Sequence, residues 1–206
     1  MSVDSFQTIA APAPFRQKIE RSEFLALAFP VTTDDAFFAE LARIEKQHFD
    51  ATHHCWAFRL FDGGTVRQRS SDAGEPSGTA GKPILSSIEG ASLHDTGVVV
   101  VRWYGGVKLG SGGLARAYRD TAVQALVSAS IITRYLCERF TVEVPFASMG
   151  VAYRLAHPPD IVLEREEFGE INRFFFDVRA SRRVEFERSL EERRLAFTHD
   201  PTPRLR

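Results

Sequence analysis

The chain has 206 residues, of which 44% are hydrophobic and 26% charged; these proportions are typical of a folded protein and exclude a disordered chain. Its formal net charge of −1 gives the whole molecule no general attraction for nucleic acid or anionic membranes, so any such attraction must come from a local patch. Two cysteines are too few for a disulfide framework and indicate reduced thiols.

The first residues predict neither a targeting signal nor regular structure. They lack the basic start and apolar core of a signal peptide, and no apolar run in the sequence approaches the roughly 18 residues of a membrane helix. We therefore expect a cytoplasmic protein with no membrane partner. Residues 1–17 show little periodicity and include two prolines, which predicts a flexible N-terminal arm.

Hydrophobic periodicity then predicts a first α+β domain over residues 18–130. Thr32–Asp34 offer N-caps for a helix whose inward side carries Phe37, Leu41 and Ile44 at helical spacing. The Asp62-Gly63-Gly64 sequence predicts the turn of a hairpin. The predicted elements are strands at 22–31, 54–60, 65–69 and 97–104 and helices at 32–48, 83–90 and 114–129.

The pattern resets at residues 131–138, which predicts a linker, and a second domain follows at 139–206. Its predicted elements are strands at 139–146, 160–167, 170–179 and 195–199 and helices at 147–157 and 181–194. The order βαββαβ is that of a ferredoxin-like domain. The fold class predicted for the chain is therefore α+β with two domains.

A first glycine-rich segment, Ser71–Pro83 (the first box), precedes the second predicted helix. A helix that starts after Gly81 directs free backbone N–H groups and the positive end of its dipole at whatever lies before it. The box is not a Walker loop, because Pro76 and Pro83 replace the residues that this motif requires. A turn-rich loop with a capped helix and no ligand explains the composition equally well. The candidate anion-binding residues of this box are Ser77, Gly78, Thr79 and Lys82.

Two carboxylates of the first box, Asp72 and Glu75, are predicted to line a pocket. Such a pair suits a metal site or acid–base catalysis. Loop acids more often cap a turn, and the spacing shows no third ligand or base. We therefore predict no metal, no cofactor and no catalytic residue here.

A second glycine-rich segment, Arg102–Tyr118 (the second box), lies in a stretch without acidic residues between Thr96 and Arg119. Its positive charges predict a local basic patch, and an exposed aromatic beside them would suit stacking on a base, unless both aromatics pack in the core. A loose match to the Rossmann fingerprint fails, because the glycines follow the strand too late. The candidate anion- or nucleic-acid-binding residues of this box are Arg102, Tyr104, Gly105, Gly106, Lys108, Gly110, Gly112, Gly113 and Arg116.

A third short motif is formed by His53, His54 and Cys55. Neighbours in a strand alternate between faces, so at most His53 and Cys55 share one, and no further ligand completes a zinc site. We predict that both histidines line the pocket, which joins this motif to the two boxes on one face of the domain.

These three motifs together resemble the IMPACT family, in its bacterial YigZ-like branch. The resemblance is carried by residues 52–57 and by both boxes and covers residues 18–130, whereas the C-terminal region resembles a domain of elongation factor G. This chain departs from the family pattern at Ala73, where the family has a second Asp, and at Trp103, where it has Tyr. The loss of that Asp removes one candidate metal ligand.

The resemblance implies a fold and a biological role. The N-terminal domain should be a ribosomal-protein-S5-domain-2-like α/β sandwich, a fold shared with RNase PH and GHMP kinases, and eukaryotic members act in translational control. We therefore expect a non-enzymatic, translation-related protein that binds RNA, a ribosomal surface or a translation-associated protein through the two boxes. The alternative is an enzyme or sensor for a phosphorylated small molecule or nucleotide at the same site.

Overall fold

The computed structural model describes residues 4–62 and 65–206, which form two compact units. The N-terminal unit consists of residues 6–133, and the C-terminal unit consists of Asp4, Ser5 and residues 134–206. The strands are β1 (Ser5–Ile9), β2 (Ala13–Ile19), β3 (Ser22–Pro30), β4 (His53–Asp62), β5 (Thr65–Ser71), β6 (Thr96–Trp103), β7 (Ile131–Val144), β8 (Ile161–Glu167), β9 (Asn172–Arg179) and β10 (Ala196–Leu205). The helices are α1 (Asp34–Gln47), α2 (Gly81–Gly90), α3 (Gly110–Ser128), α4 (Met149–Leu155) and α5 (Arg183–Glu192).

The N-terminal unit is a three-layer α/β sandwich around an antiparallel sheet of order β2-β3-β6-β4-β5. Helix α1 packs on one face, where it meets Val99 and Val101, and helices α2 and α3 pack on the other, where they meet Val98 and Val100. The run of four valines is thus buried on both sides, which is why it shows no polar alternation. This arrangement confirms the α+β class.

Helix α1 begins where the sequence predicts. Thr33 is its N-cap and accepts a hydrogen bond from the Ala36 N–H at 3.1 Å, which satisfies one of the free donors of the first turn. Its buried residues are the predicted Phe37, Leu41 and Ile44.

The C-terminal unit has the ferredoxin-like strand order β10-β7-β9-β8. Phe140, Val142 and Phe174 belong to the core that this sheet forms with α4 and α5. Asp4 also joins β7, since its carbonyl accepts a hydrogen bond from the Leu136 N–H at 2.8 Å. The predicted βαββαβ order is therefore observed.

Two predictions about the connecting segments are wrong. Residues 1–17 do not form a flexible arm throughout, because β1 and β2 occupy most of residues 5–19 and β2 pairs with β3 from Ala13 to Ile19. Pro14 hides this strand in the sequence, although an edge strand tolerates a proline. Residues 131–138 are not a linker but the start of the 14-residue strand β7, and the two units divide between Thr133 and Arg134.

Other differences concern the ends of elements. The predicted turn at Gly63 and Gly64 lies outside the described residues, while the strands beside it pair in register from Asp62 and Thr65 onward. Helix α3 begins at Gly110, four residues before its predicted start, so most of the second box's glycines belong to its first turn.

Candidate functional site

A cleft of about 450 Å³ in the N-terminal unit brings residues of both boxes together with the start of β4. Its floor contains buried Glu75 and Arg102, and its rim contains Tyr104, Lys108 and the start of α3. The cleft is lined by Thr52, His53, Glu75, Pro76, Arg102, Tyr104, Lys108, Leu109, Gly110, Ser111 and Leu114. Four of the nine predicted residues of the second box therefore line one cleft: Arg102, Tyr104, Lys108 and Gly110.

The first box presents its amides inward, to its own carboxylate. Asp72 Oδ1 accepts hydrogen bonds from the N–H groups of Ala80 at 2.9 Å and Gly81 at 2.8 Å, and Oδ2 accepts from the Gly78 N–H at 2.8 Å. The start of α2 thus carries an internal anion. The prediction that Gly78 offers its N–H to a ligand is wrong, because Asp72 already accepts from it.

The same hydrogen bonds change the acidity of Asp72. Burial alone would raise the pKa of this carboxyl, but the three backbone donors and the nearby Lys82 ammonium outweigh it and hold the pKa below its usual value. Asp72 is therefore an ionised structural group at neutral pH rather than a proton-transfer group.

The predicted anion-binding side chains of the first box, Ser77, Thr79 and Lys82, do not line the cleft. Ser77 and Lys82 are exposed, and the Thr79 hydroxyl donates to the Pro76 carbonyl at 2.7 Å. Gly81 lies so close to the backbone of Ser71 that an added Cβ would meet it at 2.7 Å, so this glycine is required by packing. The start of α2 is therefore filled by the box's own Asp72, whereas Glu75 and Pro76 of the same box line the cleft.

A buried polar network joins the two boxes. Arg102 Nη1 donates to Glu75 Oε1 at 2.5 Å, the Tyr118 hydroxyl donates to the same oxygen at 2.7 Å, and Arg102 Nη2 donates to Ser22 Oγ at 3.1 Å. Burial and the neighbouring Cys55 raise the pKa of Tyr118, which keeps its hydroxyl protonated as a donor. The charge of Arg102, a candidate anion-binding residue, is therefore already balanced by Glu75.

Cys55 and the two histidines have separate roles. The Cys55 thiol is fully buried and donates to the Asp72 carbonyl at 2.9 Å; burial raises its pKa to about 12, so it is not a nucleophile at neutral pH. His53 Nδ1 lies 3.0 Å from the Ala73 carbonyl oxygen, which makes Nδ1 the protonated nitrogen and leaves Nε2 in the cleft. His54 instead contacts the His48 carbonyl at 3.1 Å and is not among the cleft residues, contrary to prediction.

Helix α3 begins without a capping side chain. Its N-cap is Leu109, no side chain accepts a hydrogen bond there, and no acidic residue lies in its first turn. Lys108, Gly110 and Ser111 line the cleft beside this start. Since α3 has 19 residues, its free N–H groups and dipole give the cleft a positive rim that suits an anionic group. The two helix starts of the site thus differ: that of α2 is filled and that of α3 is open.

The glycines of the second box differ in how strictly the fold requires them. At Gly105 an added Cβ would lie 1.8 Å from the Arg21 carbonyl oxygen, so the fold requires glycine there. At Gly112 an added Cβ would meet nothing closer than the far end of Arg116, at 3.6 Å. Gly106 and Gly110 have positive φ angles of 83° and 69°, which favour glycine. Gly113 is an intermediate case, because an added Cβ there would lie 3.2 Å from the Leu109 Cβ. Packing therefore does not explain Gly112.

Of the two aromatic residues at the end of β6, Tyr104 is the exposed one. Its ring lies 5.3 Å from the Arg102 guanidinium and is 45% exposed. Trp103 packs against the α1 side of the sheet, and its Nε1 donates to Asp50 at 3.0 Å. Arg116 is exposed on α3 but is not a cleft residue. Stacking on a base thus remains open to Tyr104.

Several site residues were not predicted from sequence. Ser22, which holds Arg102, is 80 residues away from it, and no local signal connects the two. Thr52 and Ser111 line the cleft with hydroxyl groups, and the position of Ser111 among glycines was a usable signal. Among residues 4–62 and 65–206, no group of three histidine, cysteine or acidic side chains is arranged to hold a metal ion.

The comparisons with known proteins identify the family. The family model described as the Impact N-terminal domain matches residues 20–126, which span both boxes and the cleft. The chain belongs to the IMPACT family. The IMPACT family member YvyE of Bacillus subtilis is 31% identical over 189 residues, covering 92% of this chain and 81% of the relative. This confirms the resemblance that the motifs indicated.

Two further relatives support the assignment. The IMPACT family member YigZ of Escherichia coli is 38% identical over 125 residues, covering 60% of this chain and 61% of the relative. A crystal structure described as a hypothetical protein has a TM-score of 0.68 at 26% identity and covers 96% of this chain and 97% of its own. In the part of the IMPACT chain that the structure describes, no helix is long and apolar enough to cross a membrane.

Proposed function

We propose that this IMPACT-family protein is a non-enzymatic, translation-related regulator that acts in the cytoplasm and binds RNA, free or on a ribosomal surface, through the cleft at the start of α3. The observation that carries the proposal is the open, acid-free start of α3 beside Lys108 and the exposed ring of Tyr104. Backbone N–H groups and a lysine suit a phosphate, and an exposed aromatic suits a base.

The surroundings of the cleft favour a polyanion over an isolated charge. Arg116 and Arg119 are exposed further along α3, and Arg119 has Asp120 as a neighbour at 3.4 Å. A net charge of −1 gives no background attraction, so binding should depend on this local set of charges. A strand of RNA whose phosphate lies at the start of α3 could continue along these arginines.

Binding of a fluorescent single-stranded RNA, measured by anisotropy at increasing salt, tests the proposal. Each phosphate contact releases counterions, so the logarithm of the binding constant should fall linearly with the logarithm of the salt concentration, by about 0.7 per phosphate contacted. The matched control is the Lys108→Ala variant of the same chain, which lacks the lysine beside the start of α3. Binding that does not respond to salt, or no binding at all, would overturn the proposal.

A second candidate function is the recognition of a phosphorylated small molecule or nucleotide. The size of the cleft, about 450 Å³, favours it, because this lies within the range of small-molecule sites. A thermal-shift series with nucleotides and phosphorylated metabolites distinguishes the candidates, since a specific ligand raises the unfolding midpoint in a concentration-dependent way. A saturable shift that RNA does not compete away would support the second candidate over the first.

A further inference from the structure

Only one of the two carboxylate oxygens of Glu75 takes part in the buried network. Oε1 accepts from Arg102 Nη1 at 2.5 Å and from the Tyr118 hydroxyl at 2.7 Å, and His53 Nε2 lies 3.9 Å from it. Among the described residues, Oε2 has no hydrogen-bond donor. It is also not one of the fully enclosed side-chain atoms that lack a partner. Glu75 is a lining residue of the cleft, so we infer that a ligand would reach Oε2 from the cleft.

This arrangement is unusual for so deeply buried a side chain. The side chain of Glu75 is only 4% exposed, and buried polar atoms in proteins are nearly always hydrogen-bonded. Leaving a carboxylate oxygen without a donor is unfavourable. A ligand that supplies a donor inside the cleft would therefore gain a charge-assisted hydrogen bond with a group already held in place by Arg102 and Tyr118.

The chemistry of Oε2 limits which part of a ligand it can meet. An ionised carboxylate only accepts hydrogen bonds, so a phosphate is repelled from it and belongs at the start of α3 instead. Arg102 already balances the charge of Glu75, so the partner need not be a cation. A neutral hydroxyl that lies between a phosphate and a base meets both conditions.

We propose that Glu75 Oε2 accepts a hydrogen bond from a ribose 2′-hydroxyl, and that the cleft therefore selects ribonucleotides over deoxyribonucleotides. The inference rests on the RNA binding proposed above and assigns a specificity-determining residue to that site. Three groups of the cleft then match the three parts of a ribonucleotide: the start of α3 with Lys108 faces the phosphate, Tyr104 the base and Glu75 the sugar. The 2′-hydroxyl is the group by which a protein distinguishes RNA from DNA.

The test compares four oligonucleotides of one sequence and about 12 nucleotides, a length within the site sizes of single-strand binders. They are RNA, DNA, 2′-fluoro RNA and 2′-O-methyl RNA, and their affinities for the full chain are measured by fluorescence anisotropy at fixed salt. The 2′-fluoro form keeps the sugar pucker of RNA but cannot donate. Since a hydrogen bond to a charged group is involved, RNA should bind about tenfold more tightly than the other three.

The outcomes distinguish a failure of this inference from a failure of the proposed RNA binding. Equal affinity for RNA and 2′-fluoro RNA overturns the role of Glu75 and leaves RNA binding intact. No binding to any of the four overturns both proposals. If RNA and DNA both bind tenfold more tightly than 2′-fluoro RNA, the difference comes from the fluorine atom and not from a lost hydrogen-bond donor, which would again overturn the role of Glu75.

Glu75→Gln provides the matched variant. Its amide oxygen can still accept from Arg102 and Tyr118, which turns the NH₂ group toward the cleft and removes the acceptor. The preference for RNA over 2′-fluoro RNA should fall to about twofold or less, whereas Glu89→Gln, an exposed acid on α2, should keep it. A folded Glu75→Gln protein with the full preference overturns the inference. If circular dichroism shows that the variant does not fold, the comparison on the natural chain decides.

Discussion

Arg102 and Glu75 form a buried ion pair, 2.5 Å between Nη1 and Oε1, that links the two glycine-rich boxes across 27 residues of sequence. The pair lies at the floor of the cleft and is largely shielded from bulk water, as both side chains are about 5% exposed or less. Removing one partner would leave the other charge buried and unpaired, and this cost determines how much the pair matters for the stability of the protein.

Arg102→Met should destabilise the protein by about 3–5 kcal/mol, because it leaves the Glu75 carboxylate buried without its cation. Denaturant unfolding followed by circular dichroism measures the loss. The double variant Arg102→Met with Glu75→Gln should recover part of it, since the remaining amide is neutral. Strictly additive losses in the two single variants would contradict the pairing.

Asp72→Asn should cost about 2–3 kcal/mol of unfolding free energy, because an amide cannot accept from three backbone N–H groups as an ionised carboxylate does. The measurement is again denaturant unfolding. Asp120→Asn removes an equal charge from an exposed position and should change stability by less than about 0.5 kcal/mol. Similar losses in both variants would show that the charge and not the hydrogen bonds matters.

The stability that Asp72 provides should depend on pH in a defined direction. Its pKa in the folded protein is lowered, so its contribution is fully present above the unfolded value, about 3.9, and is lost as the pH falls through the folded pKa. The difference in unfolding free energy between the natural chain and Asp72→Asn should thus stay constant from about pH 6 to 8 and shrink below about pH 4. A difference that grows on acidification would contradict this.

Lys108→Ala and Lys82→Ala should have unequal effects on RNA binding, although each removes one exposed lysine beside a helix start. Lys108 lines the cleft at the open start of α3, and its loss should reduce the salt dependence by about one phosphate contact. Lys82 stands at the start of α2, which Asp72 fills, so its loss should matter little. Anisotropy titrations at several salt concentrations compare them, and equal losses would place the ligand elsewhere.

Gly112→Ala should separate stability from binding. Because an added Cβ meets only the end of Arg116, alanine should leave stability unchanged or raise it by up to about 1 kcal/mol. We expect it nevertheless to weaken anion binding, because a methyl group next to the cleft residue Ser111 would narrow the approach to the backbone at the start of α3. Gly105→Ala is the contrasting variant and should unfold the domain, because its Cβ would overlap the Arg21 carbonyl. Unchanged binding by Gly112→Ala would contradict a role for this turn.

Local signals in the sequence were enough to predict much of the fold. The Thr33 cap and the spacing of Phe37, Leu41 and Ile44 placed α1 correctly, because caps and helical periodicity involve neighbours in sequence. Strand β2 was not predicted, because its apolar residues Phe15 and Ile19 are only partly buried and pack against a core cluster that includes residues of α3, far along the chain. The start of β7 was not predicted, because its first three residues are all exposed and therefore show no alternation of buried and exposed positions.

The sequence could predict which residues belong to the site but not how they contact one another. Glycine and charge patterns placed Lys108 and Tyr104 at a common surface, but they could not tell which helix start was free. That depended on whether Asp72 reaches the amides of Gly78 and Gly81, which requires the loop to turn back on itself. The pairing of Arg102 with Glu75 was hidden for the same reason, since patterns in sequence carry no information on partners 27 residues away.

The carboxylate that fills the start of α2 has a consequence for how fast a ligand can bind. Because Asp72 fastens the loop of the first box at three points, the entropy of ordering that wall of the cleft is lost during folding and not during association. Encounter, rather than a loop rearrangement, should then limit the association rate. The observed rate constant should rise linearly with RNA concentration without reaching a plateau.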